Sequence, residues 1–318
     1  MLLEITYPHI DPVAIDLPGP LDVRWYGLGY LFAFVVGYLV LRKLAREGFL
    51  RLDPIVIGDL VFSLMLGTIL GGRLGYILFY DFPAFAENPA RILRIWEGGL
   101  SFHGGLAGVL IAAALFARRN RFSFLNVGDS LALGVPFGIF AVRVANFING
   151  ELYGRIASPD VPWAMRFPTD PVALEIMGAE AVGMREREVM ISTAYETNMW
   201  GPISEQVPLR HPSQLYEALT EGLVLGLVLW AVYFWARKRK IVLPDGMLGG
   251  IFLLGYGVFR SIMEIFRQPD AQFRDAGDPV GNVVGPLTMG QTLSVLMILA
   301  GAFLLLRGLR RMRARPAA

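Results

Sequence analysis

The 318-residue chain is 54% hydrophobic, with a mean hydropathy of +0.50 and a formal net charge of +2. A soluble core of that size does not need so much apolar sequence, so the composition points to a polytopic membrane protein and offers no basic surface for nucleic acid. The absence of cysteine excludes disulfides, thiolate metal sites and a thiol nucleophile supplied by the chain itself.

Taken in chain order, the first twenty residues, MLLEITYPHIDPVAIDLPGP, carry acidic residues and four prolines where a secretory signal would carry a basic n-region. They are expected to form an arm that is not cleaved. Stretches of about 20 mostly apolar residues can cross a bilayer as helices. Seven candidates follow, near residues 24–42, 56–80, 99–117, 124–148, 212–236, 246–266 and 288–307. The expected fold is therefore an all-α polytopic integral membrane protein of about seven transmembrane helices. Between the fourth and fifth candidates, residues 150–211 are rich in Pro, Glu, Thr and Ser, with apolar runs too short to span. The expected organisation is an arm with four spans over 1–149, a small extracytoplasmic insert over 150–211, and three spans with a basic tail over 212–318.

Basic residues set the orientation. Of 29 Lys and Arg, 16 lie in segments that share one side: 42–51, 118–121, 237–240 and 307–315. Ten lie in the alternate segments, half of them spread through the long insert, and all three lysines belong to the first group. The positive-inside rule then places the N-terminus outside and the C-terminus in the cytoplasm, with the tail RMRARPAA facing lipid headgroups.

Direction along each candidate span brings polar residues to one depth, below the outer leaflet. Tyr26 opens the first span, Arg73 lies in the outer half of the second, and His103 in the first turns of the third. The fourth span ends in VRVANFINGELYGR, holding Arg143, Asn146 and Glu151. The fifth begins at RHPSQLYEAL, and the sixth runs outward through Arg260, Glu264 and Arg267. An arginine in mid-bilayer costs at least about 2.5–3.5 kcal/mol on insertion scales, so it faces a cavity, a partner or headgroups. Each residue also has a plainer explanation. Arg73 can snorkel to headgroup phosphates. Arg260, Glu264 and Arg267 are spaced i, i+4, i+7, which suits an intrahelical ion pair. Tyr26 fits an aromatic belt. Gly67, Gly71 and Gly75 on the second span and Gly104 and Gly108 on the third recur every four residues, the spacing of close helix packing.

Two or three arginines without a matching surplus of carboxylates suit an anion, and a guanidinium fork fits phosphate. At this depth the abundant phosphate is a phospholipid headgroup. His103 is the one histidine inside a span and can accept a proton near neutral pH. No HExxH, Cys/His cluster or Gly-x-Ser-x-Gly elbow occurs, so neither a metal nor a serine esterase is expected. Physics alone stops at a protein that binds, and can react with, an anionic phospholipid. A transporter of an anion or lipid headgroup is the alternative, although polar groups then should line the whole depth.

The stretch RVANFINGELYG resembles the diagnostic segment of the bacterial prolipoprotein diacylglyceryl transferase family. The resemblance continues through GGRLGYILFYD, SFHGGLAG, HPSQLYEAL and GYGVFRSIMEIFRQPDAQF, in family order and over most of the chain except 155–210. One position departs: Val142 precedes Arg143 where the family carries glycine. The resemblance implies an inner-membrane enzyme that moves the diacylglyceryl group of phosphatidylglycerol onto the lipobox cysteine of a prolipoprotein signal peptide. A thioether forms and glycerol phosphate leaves. It further implies no cofactor, a site open to the outer leaflet, Arg143 and Arg260 on the phosphate, and His103 as base for the thiol. Asn146, Glu151 and Gly154 would shape the headgroup pocket, completed by Tyr26, Glu264 and Arg267. A monomer is expected.

Overall fold

The computed structural model describes residues 5–17, 22–93, 99–269 and 281–314. The last four residues of the basic tail and the Asp-Ala-Gln-Phe end of the GYGVF motif lie outside these. The described chain is mostly helical. In order, α1 is Trp25–Arg46, α2 Ile57–Tyr80, α3 Phe82–Glu87, α4 Phe102–Arg119, α5 Phe124–Ala132 and α6 Val135–Ile148. Three short helices follow, α7 Pro171–Met177, α8 Met184–Glu196 and α9 Trp200–Ser204. Then come α10 Ser213–Glu217, α11 Leu225–Lys238, α12 Met247–Met263 and α13 Met289–Arg313. Two small antiparallel ribbons complete the inventory: β1 Val13–Ile15 with β2 Val23–Arg24, and β3 Asn282–Val284 with β4 Leu287–Thr288.

Four helical segments are long and apolar enough to cross a bilayer: Trp25–Arg46, Pro54–Tyr80, Ser213–Lys238 and Met289–Arg313. A fifth arises if α5 and α6, bent by 46° at their junction, form one span. This is a membrane protein by the length and composition of its helices. The sequence candidates at 99–117 and 246–266 are also helical, but shorter. At 1.5 Å per residue, the 17-residue α12 reaches about 26 Å against a hydrocarbon core of about 30 Å. The 18-residue α4 ends in Arg118-Arg119, which shortens its apolar run.

The chain divides into two compact units. The first draws on Met1–Ala33, Val135–Val232 and Ile251–Phe303, the second on Phe34–Gly134, Tyr233–Gly250 and Leu304–Ala318.

In the second unit, the repeating glycines bring the α2 and α4 backbones into contact. A Cβ on Gly71 would sit 2.4 Å from the Gly104 carbonyl oxygen, and one on Gly108 only 2.0 Å from that of Gly67. Lipid gives helices no hydrophobic drive to associate, so such close van der Waals contact is what joins them. Asp129, buried, accepts from the amides of Gly246 and Gly249 at 2.7 Å each and so caps the start of α12. Arg73 does not reach for headgroups; it is buried and donates to the carbonyls of Ile92 and Gly99 at 3.2 Å.

In the first unit, the N-terminal arm pins the end of α6. The Tyr7 hydroxyl reaches the carbonyl oxygens of Phe147 and Ile148, at 2.7 and 2.9 Å, which have no partner within the helix. Gly150, at φ +65°, then turns the chain into the 150–211 segment, which holds α7, α8 and α9. Asp170 caps α7 through the Val172 amide and holds Arg210 at 2.8 Å, both partners buried. Arg24 grips Glu188 of α8 with two bonds, 2.6 and 2.9 Å.

The contact between α2 and α4 is testable. Gly71→Ala forces a methyl against the α4 backbone and should cost about 1–3 kcal/mol, a clear drop in the melting temperature of detergent-solubilised protein. Gly58→Ala on the same helix meets open space and should melt at or above wild type. Equal melting of the two variants would refute backbone-to-backbone packing.

Candidate functional site

The polar cluster of the first unit is assembled around one side chain, Glu217. It ends α10 and is 1% exposed. Its Oε2 lies 2.7 Å from Arg143 Nε, an ion contact. Its Oε1 accepts from Arg260 Nη1 at 3.0 Å and from Arg267 Nη1 at 3.5 Å. Three guanidinium groups from three parts of the chain therefore share one carboxylate. Arg143 stands on α6, Arg260 on α12, and Arg267 just beyond the end of α12.

Further carboxyl groups balance the arginines. Glu264 Oε2 is 2.7 Å from Arg260 Nη2, the i, i+4 pair that the spacing suggests. Its other oxygen accepts from the Thr288 hydroxyl at 3.1 Å. Glu221, fully buried, approaches Arg260 Nη1 at 4.0 Å, and neither of its oxygens accepts a hydrogen bond from the described residues. Gly290 makes room for Glu264, since a Cβ there would fall 2.6 Å from Oε2.

The local backbone explains how Glu217 and Glu221 reach the cluster. Residues Ala218–Val224 form a π turn between α10 and α11. The wider turn changes which positions share a face, and such turns accompany functional sites. Gly222 within it permits α6 to approach closely; a Cβ there would meet Phe140 Cβ at 2.7 Å.

The outer edge of the cluster is held by main-chain pairing. The Gly154 amide donates to the His211 carbonyl at 2.8 Å, and Gly154 bridges Arg267. A Cβ on Gly154 would lie 2.4 Å from the Phe266 carbonyl oxygen, so only glycine fits. Asn146, buried, donates to Glu151 Oε1 at 2.8 Å, joined there by Asn149 at 3.1 Å. Gln214 Nε2 donates to the Glu151 carbonyl at 2.6 Å.

The structure thus gathers Arg143, Arg260, Glu264 and Arg267 around Glu217, with Asn146, Glu151 and Gly154 forming the turn beside them. Tyr26 lies in the same unit, at the start of α1, and its hydroxyl is 3.2 Å from that of Tyr30. His103 and Arg73 belong to the second unit. His103 is exposed in the first turn of α4, which Ser101 caps through the Gly104 amide at 3.3 Å. Among the described residues no group of His, Asp and Glu is arranged to hold a metal ion.

One expectation needs correction. The arginines do not lack opposing carboxylates; Glu217 and Glu221 were missed. Their signal lies in QLYEALTEG, where two glutamates four residues apart enter an otherwise apolar span and require buried partners. The cluster is nonetheless suited to an anion. Arg143 meets Glu217 through an ion contact at Nε, and its terminal nitrogens make no hydrogen bond among the described residues. Its side chain is only 16% exposed and so is largely shielded from bulk water.

The sequence pattern of the prolipoprotein diacylglyceryl transferases matches residues 12–307. Proteins of Salmonella paratyphi B and Salmonella heidelberg, each named phosphatidylglycerol–prolipoprotein diacylglyceryl transferase, are 42% identical to this chain over 308 residues. The match covers 96% of this chain and 95% of each relative. A chain matched over nearly its whole length, with Arg143, Asn146 and Gly154 set around a buried ion cluster, belongs to the prolipoprotein diacylglyceryl transferase family.

Proposed function

We propose that the chain transfers the diacylglyceryl group of phosphatidylglycerol to the thiol of a prolipoprotein's lipobox cysteine. The sulfur forms a bond to the glycerol carbon that bears the phosphate, and that carbon's bond to oxygen breaks. Glycerol phosphate departs with the bond electrons, and the thiol proton passes to a base. The nucleophile is the substrate's, so an enzyme without cysteine is coherent. The observation that carries the reading is the pair of uncommitted terminal nitrogens on largely buried Arg143, beside arginines already anchored by Glu217. Preorganised donors aimed where charge develops are worth most in a low-dielectric site. The transporter alternative is not favoured, because the family is one of transferases.

In this reading Arg143 is the principal phosphate ligand. Arg260, held by Glu217 and Glu264, supplies charge and a partial donor set. Asn146, Glu151 and Gly154 keep the turn that ends α6 in register, and Arg267 ties it to the end of α12. Tyr26 lines the lipid-facing edge. His103 is the candidate base. The helices α4 and α12 complete seven spans, with the N-terminus and the 150–211 insert outside and the basic C-terminus in the cytoplasm of a bacterial inner membrane. The protein works as a monomer.

The direct test is purified protein in phosphatidylglycerol micelles with a lipobox peptide, followed by mass spectrometry. A diacylglyceryl mass gain on cysteine is expected; its repeated absence with folded protein would sink the transferase reading. Within that assay, Arg143→Lys keeps the charge but removes the planar fork, and transfer should fall about 100-fold or more at unchanged melting temperature. Full activity in this variant would dismiss Arg143 as the phosphate ligand. For His103, the pH–rate profile decides. His103→Gln should lose transfer, and its residual rate should depend on pH differently from wild type. A near-wild-type rate would remove His103 from the proton path.

A further inference from the structure

Immediately outside the arginine cluster, the first unit holds a short chain of polar aromatic contacts that the roles above do not use. Trp163 Nε1 donates to the Tyr216 hydroxyl at 2.6 Å, and that hydroxyl lies 3.2 Å from His211 Nδ1. The Phe266 ring packs edge-on against both His211 and Tyr216, at 5.3 and 5.7 Å. Backbone pairing places His211 directly against the cluster, since its carbonyl receives the Gly154 amide and Gly154 bridges Arg267.

The proton inventory of this chain orders it. An indole nitrogen can only donate, so Trp163 occupies the acceptor side of the Tyr216 oxygen. The phenolic proton is then free to point elsewhere, and the imidazole nitrogen at 3.2 Å is the acceptor within reach. Phenol is the better donor of the two and imidazole nitrogen the better acceptor, so O–H to Nδ1 is the favoured direction. With Nδ1 accepting, the neutral ring must carry its proton on Nε2. Partial burial works the same way, holding the imidazole below its ordinary protonation range. Nε2 makes no hydrogen bond among the described residues, so its N–H is left as a donor.

The geometry points to His211 as a hydrogen-bond donor to the phosphoglycerol headgroup, with Tyr216 and Trp163 as positioning residues that fix its tautomer. The inference rests on the transferase reading for the identity of the ligand, but not for the tautomer. It assigns the headgroup an outer contact that is neutral and fixed, beside the charged inner contacts from the arginines. A neutral donor at this place can bind the phosphate oxygens or headgroup hydroxyls before transfer and the departing glycerol phosphate after it, without titrating.

Two measurements test this, and they fail separately. The chain has three histidines, so nitrogen-15 spectra of histidine-labelled protein resolve each ring, assigned by single substitutions. Wild-type His211 should show the Nε2–H neutral tautomer near pH 7, and Tyr216→Phe should shift it toward a mixture. A wild-type ring that is protonated on Nδ1 would overturn the proposal without any variant or activity assay. The second measurement is transfer from phosphatidylglycerol to a lipobox peptide. Glutamine places an amide N–H near the Nε2 position and asparagine near Nδ1, so His211→Gln should stay within about threefold of wild type. His211→Asn should raise KM for the lipid about tenfold, the loss of one hydrogen bond to a charged group. Equal rates and KM values for Gln and Asn would overturn the donor role even where the tautomer is confirmed. A wild-type protein that performs no transfer would instead refute the transferase reading, leaving the tautomer to stand on its spectrum.

Discussion

The first unit is organised around a carboxylate that could not exist alone where it is. Glu217 is buried to 1% exposure, and an isolated ionised carboxylate at that place would carry a desolvation penalty of several kcal/mol. Three arginines offset that penalty, and each of them would be equally unfavourable without it. Removing one partner from such a group leaves the rest uncompensated, which typically costs about 3–5 kcal/mol. The cluster therefore fixes the end of α6, the start of the α10–α11 segment and the end of α12 with respect to one another. Gly154, Gly222 and Gly290 are consequences of that constraint, each sitting where a methyl group would press on a backbone or carboxylate the cluster needs.

The second unit is held by a different logic. Its α2–α4 contact has no charges in it, only five glycines whose backbones touch. Polar groups find partners within the unit: loop carbonyls accept from Arg73, the amides that open α12 donate to Asp129, and the first turn of α4 donates to Ser101. Glu47 similarly receives Lys43, Arg237 and the Tyr233 hydroxyl, tying α1 to α11 where both end.

Much of this was legible in the sequence, for reasons that differ by residue. Arg143 and Arg260 stood out because charge in an apolar run is energetically improbable, and the α2 and α4 glycines because a four-residue repeat has one structural use. Glu217 was harder to see. In QLYEALTEG it reads as the polar beginning of a span, and its partners lie far away in the chain, Arg260 by 43 residues. The π turn at Ala218–Val224 contains no proline to mark it in the sequence. The folds of α7 to α9 were equally hidden, since their apolar runs are short and their anchors, Arg24 on Glu188 and Arg210 on Asp170, are long-range.

A balanced cluster has a consequence for transfer chemistry that a surplus of arginines would not. Were the guanidinium groups unopposed, they would bind the phosphodiester of any anionic lipid tightly in the ground state, and uniform binding does not lower a barrier. With Glu217 and Glu264 already occupying much of the donor capacity, the diester of the proposed transfer would meet a nearly neutral site and be held weakly. In the proposed transfer, the leaving phosphate gains negative charge as the carbon–oxygen bond breaks, and donors such as those of Arg143 would favour it more than they favour the diester. The energy held in a site of paired charges is thereby reserved for the transition state and the departing monoester.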